Sequence, residues 1–274
     1  IDGPEWDRRL ASVQPRYWDL LTYHQYPRVS GNTSGIMSQL NYVLATDVAD
    51  RVRSHVHALF GNMPVLITES DPGAATGRRG TGMTGTLYGG IWAAEYISRL
   101  SAVPQVLFAG VHQLIGPAGL DITDDHADEV VNAFHAGKRV NNGALNYGFF
   151  MGAQAMAYSL AAAVINSASG VYATTVTGGQ SVPAGDRTMP AIFAQAYGAA
   201  DSTSLLVVNK SDRPGSIAIT VDGHPLTKAR VAFVTGPAPD SRNTRERMLV
   251  AQTQSVANGP VSVPGYSVTR ISWR

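Results

Sequence analysis

Up to about residue 160 the chain alternates short apolar runs with longer stretches of helical period, a pattern that predicts a parallel βα arrangement. The runs Asp19–Tyr26, closed by Pro27, Pro64–Glu69 and Gln105–His112 predict three strands. Between the first two, Val43, Leu44, Val48, Val52, Val56 and Leu59 recur at helical spacing and predict one helix over 40–60, with Gly61 and Asn62 closing it. Ile91, Ala94, Tyr96 and Leu100 predict a second helix over 87–100, and a third is predicted over 142–165. Beyond residue 163 the helical period disappears. Strand-like runs recur at 170–176, 191–197, 204–209, 216–221, 229–234 and 267–272, parted by turn signals such as Gly178-Gly179, Asp212-Arg213-Pro214-Gly215 and Asp222-Gly223. This grammar predicts an antiparallel β-sandwich. The expected organisation is therefore an α/β region over 1–162 followed by an all-β region over 163–274.

Three strand–helix units are too few for a closed parallel barrel, which takes eight units and about 250 residues. Half of such a barrel exposes strand edges and apolar helix faces. Either the sheet is small and open, or the missing strands lie in a companion chain or an upstream segment. Composition narrows the partners. With 21 Lys and Arg against 20 Asp and Glu, a net charge of +1 and only 15% charged residues, there is no basic excess for a nucleic acid or an anionic membrane surface. The longest apolar stretch, Phe149–Ile165, is interrupted by Gln154, Tyr158 and Ser159 and falls short of the ~18 residues of a membrane span. Cysteine is absent, which excludes a disulfide scaffold. Low charge and abundant Gly, Ser and Thr lead us to expect a secreted protein, and the first residue, Ile1, leads us to expect that any leader was removed or is not included.

Candidate chemistry gathers at the strand ends. Strict alternation along the second strand places Val65, Ile67 and Glu69 on one face, with Glu69 at the C-terminal end, where parallel barrels form their active sites. A lone carboxylate there is as readily a solvated strand end or a neighbour of Arg78 and Arg79. On the first strand Leu20, Thr22, His24 and Tyr26 share a face, so a phenol and an imidazole reach the same sheet end. A tyrosine in that place can donate to a carboxylate, keeping it ionised and oriented for attack, and His24 can touch the carboxylate or a substrate hydroxyl; without the neighbouring strand, an amphipathic strand end whose polar tips merely reach water is the favoured reading. On the third strand His112 shares a face with Val106, Phe108 and Gly110, with Gln113 beside it. A satisfied buried histidine is an equally natural reading of His112.

His24-Gln25-Tyr26, then Val65-Leu66-Ile67-Thr68-Glu69 about forty residues later, then a βα unit and a β-sandwich, resembles the C-terminal part of retaining glycoside hydrolases of the (β/α)8 superfamily called clan A. In that group a His-x-Tyr on barrel strand six precedes an apolar strand seven ending in Thr-Glu. The resemblance implies a partial (β/α)8 barrel holding about strands five or six to eight. It assigns Glu69 as nucleophile, Tyr26 as its orienting partner and His24 as a pocket residue, and it leaves His112 and Gln113 as substrate-binding candidates. Met189–Tyr197, Val207-Val208-Asn209-Lys210 and Val263–Val268 resemble the ancillary β-domain of α-L-arabinofuranosidases, β-xylosidases and the heparanase and β-glucuronidase group, and Gly3-Pro4 resembles the motif that ends strand five.

One departure matters more than the matches. Retaining hydrolysis needs two carboxyl groups about 5 to 5.5 Å apart. In the resembling families the second is a Glu, usually after Asn, at the end of strand four, and no Asn-Glu dipeptide occurs in this sequence. Glu5 and Asp71 do not stand at the acid position. The general acid is therefore expected on an N-terminal half of the barrel outside this chain, which alone is expected to be inactive. A non-catalytic carbohydrate-binding or structural protein that kept the scaffold is the alternative. Asp121–Asp128, with four Asp and one His, reads as a helix start and not as a calcium loop. His55 and His57 point apart on a helix, and Gly73–Gly80 lacks the Gly-Lys-Ser/Thr of a phosphate loop. The mechanism needs no metal or organic cofactor, and none is expected; a carbohydrate is the expected substrate.

Overall fold

The computed structural model describes residues 4–27, 29–46, 48–72, 83–112, 151–243 and 247–274. Three strands, β1 (Leu21–Gln25), β2 (Val65–Ser70) and β3 (Val106–Ala109), form a parallel sheet in the order β1-β2-β3. The buried side chains Tyr23, Val65 and Ile67 anchor it to the core. Helix α1 (Pro4–Ser12) precedes β1, with Glu5 and Arg9 paired on its exposed side.

The single helix predicted over 40–60 is instead two helical segments. Helix α2 (Thr33–Ala45) starts well before residue 40, because the Asn32 side chain accepts the Gly35 N–H and caps a polar first turn that hydrophobic spacing does not mark. It ends where the Thr46 hydroxyl bonds back to the Tyr42 carbonyl. The chain then resumes as α3 (Val48–Asp50), a π-helical turn (Arg51–Val56) and α4 (His57–Phe60), ended at Gly61 with φ +66°. The apolar spacing runs unbroken across the interruption because Leu40, Leu44, Val52 and Val56 all enter one core.

Helix α5 (Leu87–Ser101) buries thirteen of its fifteen residues. A helix covered on every side is an interior element, and α5 lies between the parallel sheet and a second, larger one. Helix α6 (Ala153–Asn166) packs closely along it: a Cβ on Gly90 would stand 2.6 Å from Cβ of Ala157. The part of the third predicted helix before residue 151 lies outside the described residues. No helix among them is long and apolar enough to cross a membrane.

The larger sheet has six antiparallel strands in the order β13-β12-β15-β8-β7-β4. They are β4 (Gly170–Tyr172), β7 (Ile192–Ala199), β8 (Ser202–Asn209), β12 (Lys228–Thr235), β13 (Ala251–Asn258) and β15 (Ser267–Trp273). The run predicted over 216–221 is divided between β9 (Gly215–Ile217) and β10 (Thr220–Val221). The strands β5 (Ser181–Ala184), β6 (Arg187–Pro190), β11 (His224–Pro225) and β14 (Val261–Val263) form two-stranded ribbons with their neighbours. One face of the six-stranded sheet, with Leu206, Val208, Val234 and Val268, joins the core around α5 and α6. The other, with Leu205, Val207, Val231 and Ile271, packs on Val261 and Val263 of the β9–β14 ribbon. Position 162/163 falls inside α6, and one hydrophobic cluster is continuous across it.

A buried ion cluster joins α5 to the large sheet. Glu95 receives Arg99 on one carboxylate oxygen, at 3.0 and 2.7 Å, and Lys210 on the other. Glu95 and Lys210 are essentially inaccessible to solvent, and the Arg99 guanidinium also lies 4.9 Å from the centre of the Phe193 ring. Burial alone would raise the Glu95 carboxyl, but the two cations outweigh it and hold it below its ordinary value. Lys210→Ala leaves part of that buried charge uncompensated, and we expect a loss of about 3 to 5 kcal/mol in urea unfolding. A loss below about 1 kcal/mol would mean that the cluster is solvated.

Candidate active site

The C-terminal edge of the parallel sheet gathers four of the residues singled out by sequence. Strand pairing breaks register there: Tyr23 pairs with Ile67, but His24 pairs with Glu69, so Thr68 is extra. This bulge corrects the expectation that Glu69 shares a face with Val65 and Ile67. Those two side chains are fully buried, whereas the extra residue turns Glu69 to the open face, towards His24 and Tyr26. A second register shift, between Val65 and Leu66, breaks the alternation assumed for β3. Leu107 and Phe108 are both exposed as a result.

The Tyr26 hydroxyl donates to Oε2 of Glu69 in a short hydrogen bond. Nδ1 of His24 lies 3.2 Å from the same oxygen and Nε2 of His112 lies 3.9 Å from it. The Tyr26 ring meets both imidazoles edge-on, with centroids 6.2 Å and 5.9 Å away. Side-chain exposures of 32% for Glu69, 49% for His24 and 32% for His112 keep the group open to a ligand. The Tyr26 bond holds the Glu69 carboxyl below its usual range; partial burial opposes this, and His112 and His24 reinforce it. Tyr26 is pushed in the opposite direction, first by burial and then by the Glu69 and Asp71 carboxylates, so its proton stays in place to be donated.

A second ring of contacts fixes the strand ends. Ser70 donates its hydroxyl to the Gly110 carbonyl at 2.7 Å, and the His112 N–H donates to the Ser70 carbonyl at 2.9 Å. These bonds carry His112 to Glu69 from a separate strand. Asp71 is fully buried; its N–H donates to the Gln25 carbonyl, and its Oδ1 accepts the Thr84 hydroxyl at 2.6 Å. Thr84 stands just before Thr86, the residue that caps α5 by accepting from Gly89. Sequence reasoning missed the positioning parts of Ser70, Asp71 and Thr84, whose partners are distant in sequence and carry no shared motif. Gln113, Arg78, Arg79, Gly3 and Asp121–Asp128 lie outside the described residues. His55 pairs with the buried Asp7 at 2.8 Å. Among the described residues no group of three or more His, Cys, Asp or Glu is arranged to hold a metal ion.

No protein-family model matches the chain, and no curated protein matches it by sequence. Solved structures do match it. The α-L-arabinofuranosidase of Thermotoga maritima, solved with arabinose, superposes with a TM-score of 0.71 at 18% identity, over 99% of this chain and 56% of its own. The GH51 arabinofuranosidase of Xanthomonas axonopodis pv. citri gives 0.69 at 14% identity, over 100% and 56%. A 4-O-α-L-rhamnosyl-β-D-glucuronidase of Fusarium oxysporum, in complex with Rha-GlcA, gives 0.60 at 13% identity, over 94% and 54%. The chain shares the fold of the part of these structures that it covers. The chain spans little more than half the length of these neighbours.

Tyr26→Phe tests the electrostatics of the site directly. Because the bond stabilises the ionised carboxylate, its loss should raise the Glu69 midpoint toward the ordinary carboxylate value, as read by carbon-13 NMR titration. The stabilisation contributed by Glu69 is present above the unfolded value and disappears as pH falls through the folded one, so the variant should also show a weaker dependence of stability on acid pH. An unchanged midpoint would mean that the bond is not formed in solution.

Proposed function

We propose that the chain is the C-terminal part of a retaining O-glycoside hydrolase, with β1 to β3 as strands six to eight of a (β/α)8 barrel and Glu69 as the nucleophile. The observation that carries this reading is the convergence of Tyr26, His24 and His112 on a single oxygen of Glu69. With Oε2 so engaged, Oε1 is the oxygen left to attack. It forms a bond to the anomeric carbon as the glycosidic C–O bond breaks, and the departing oxygen takes a proton from a carboxylic acid on the other half of the barrel. Water then cleaves the ester, losing its proton to the same carboxylate and restoring Glu69. His24 and His112 stand where they can meet substrate hydroxyls.

The nearest other carboxylate in the sequence around Glu69 is Asp71, which is buried against Thr84 and faces no opening. That supports placing the acid on an N-terminal part of the barrel. Large apolar side chains exposed on β3, Leu107 at 66% and Phe108 at 52%, together with β1 and β3 as edge strands, support such a partner surface. With Asp71 buried, a second reading is a carbohydrate-binding protein on a glycosidase scaffold.

The two readings part in one experiment on the complete protein. A panel of aryl arabinofuranosides, xylosides and glucuronides should reveal hydrolysis that Glu69→Gln lowers by about 10⁴-fold or more. Azide added to Glu69→Ala should restore turnover as a glycosyl azide of opposite anomeric configuration. Undiminished activity in Glu69→Gln would refute the nucleophile, and absence of hydrolysis across the panel would favour the binding protein.

A further inference from the structure

The sheet face that packs on α5 and α6 continues beyond them onto β15, β12 and β13. Antiparallel register there sets Arg230 between Val256 and Ser272, and Ala232 between Gln254 and Arg270. Residues directly opposite one another project to the same side, so two arginines stand diagonally across the small floor of Ala232. They line an open cleft of about 520 Å³ that contains no acidic residue. Neither guanidinium has a hydrogen bond or ion pair to a described residue, and Nε of Arg270 is buried without an acceptor.

A buried charged donor without a partner is costly, and the planar fork of a guanidinium fits an oxyanion at two points. The surrounding charge agrees. Residues 163–274 hold ten Lys and Arg against six Asp and Glu, although the whole chain is only +1. The cleft is also remote from Glu69. Arg230 shares a cross-strand row with Ser272, Ser204 and Tyr197, and the Tyr197 hydroxyl reaches Ser98 and Ser101 at the C-terminal end of α5. The opposite end of α5 is the one tied, through Thr84 and Asp71, to the strand that bears Glu69.

We propose that this cleft is a secondary binding site for the carboxylates of an acidic saccharide, with the guanidinium groups of Arg270 and Arg230 as donors and Gln254 and Ser272 as neutral partners. The oxyanion chemistry follows from the cleft itself; its being borne on a saccharide rests on the glycosidase reading. Calorimetric titration of the full chain at low salt tests it, using tetragalacturonate and, as the neutral counterpart, xylotetraose. Saturable binding of the first and none of the second is expected. Arg230→Gln and Arg270→Lys should each weaken it about tenfold; the second keeps the charge and removes the planar fork. Arg213→Gln, an equal loss of charge at an exposed turn, should leave it intact, as should Glu69→Gln, so failure here is separable from failure of the nucleophile assignment. Equal binding of the neutral sugar, an Arg213→Gln effect as large as the cleft variants, or no saturable binding would overturn the proposal. Sodium sulfate binding as tightly as tetragalacturonate would overturn the saccharide assignment.

Discussion

The burial of α5 between two sheets is the constraint on which the rest of the molecule turns. An interior helix must compensate any charge it brings inside, and α5 brings Glu95. Its two oxygens are taken by Arg99, one turn along the same helix, and by Lys210, just after β8. The cost of hiding three charges is offset only if all are in place, so the cluster ties the orientation of the large sheet to that of the helix.

The same helix reaches the candidate site at its other end. Thr86 caps it, the Gly85 N–H donates to Gln154 of α6, and Thr84 holds Asp71 at the foot of β2. Glu69 therefore sits on a strand end fastened to the core two residues further on, while its own side chain stays half open. Rigid support beneath an accessible carboxylate suits the nucleophile role proposed for Glu69. The short bond from Tyr26 adds to this by selecting one rotamer and one charge state.

Much of this was legible in the sequence, and what was not has identifiable causes. Three strands and the long buried helix declared themselves through apolar period, and the expectation that Tyr26 and His24 reach Glu69 followed from their placing at strand ends. The face of Glu69 did not: nothing in Val-Leu-Ile-Thr-Glu-Ser marks Thr68 as the residue that breaks pairing. The edge strand β13 was invisible because Ala-Gln-Thr-Gln-Ser-Val-Ala-Asn is almost wholly exposed, and it holds its place through backbone pairing with β12 instead of burial. The break between α2 and α3 was hidden because both segments feed one core. Asp71 and Thr84 act through a contact thirteen residues apart that no local pattern encodes.

Gly89 carries a further implication. A methyl group there would fall 2.1 Å from the Met83 carbonyl and 2.9 Å from the Gln154 side chain. Met83 opens the turn that delivers Thr84, so the lack of a single carbon on a helix sets how deeply that turn can seat. The seat of Thr84, and with it the hydrogen bond to Asp71, thus depends on a side chain that Gly89 does not have.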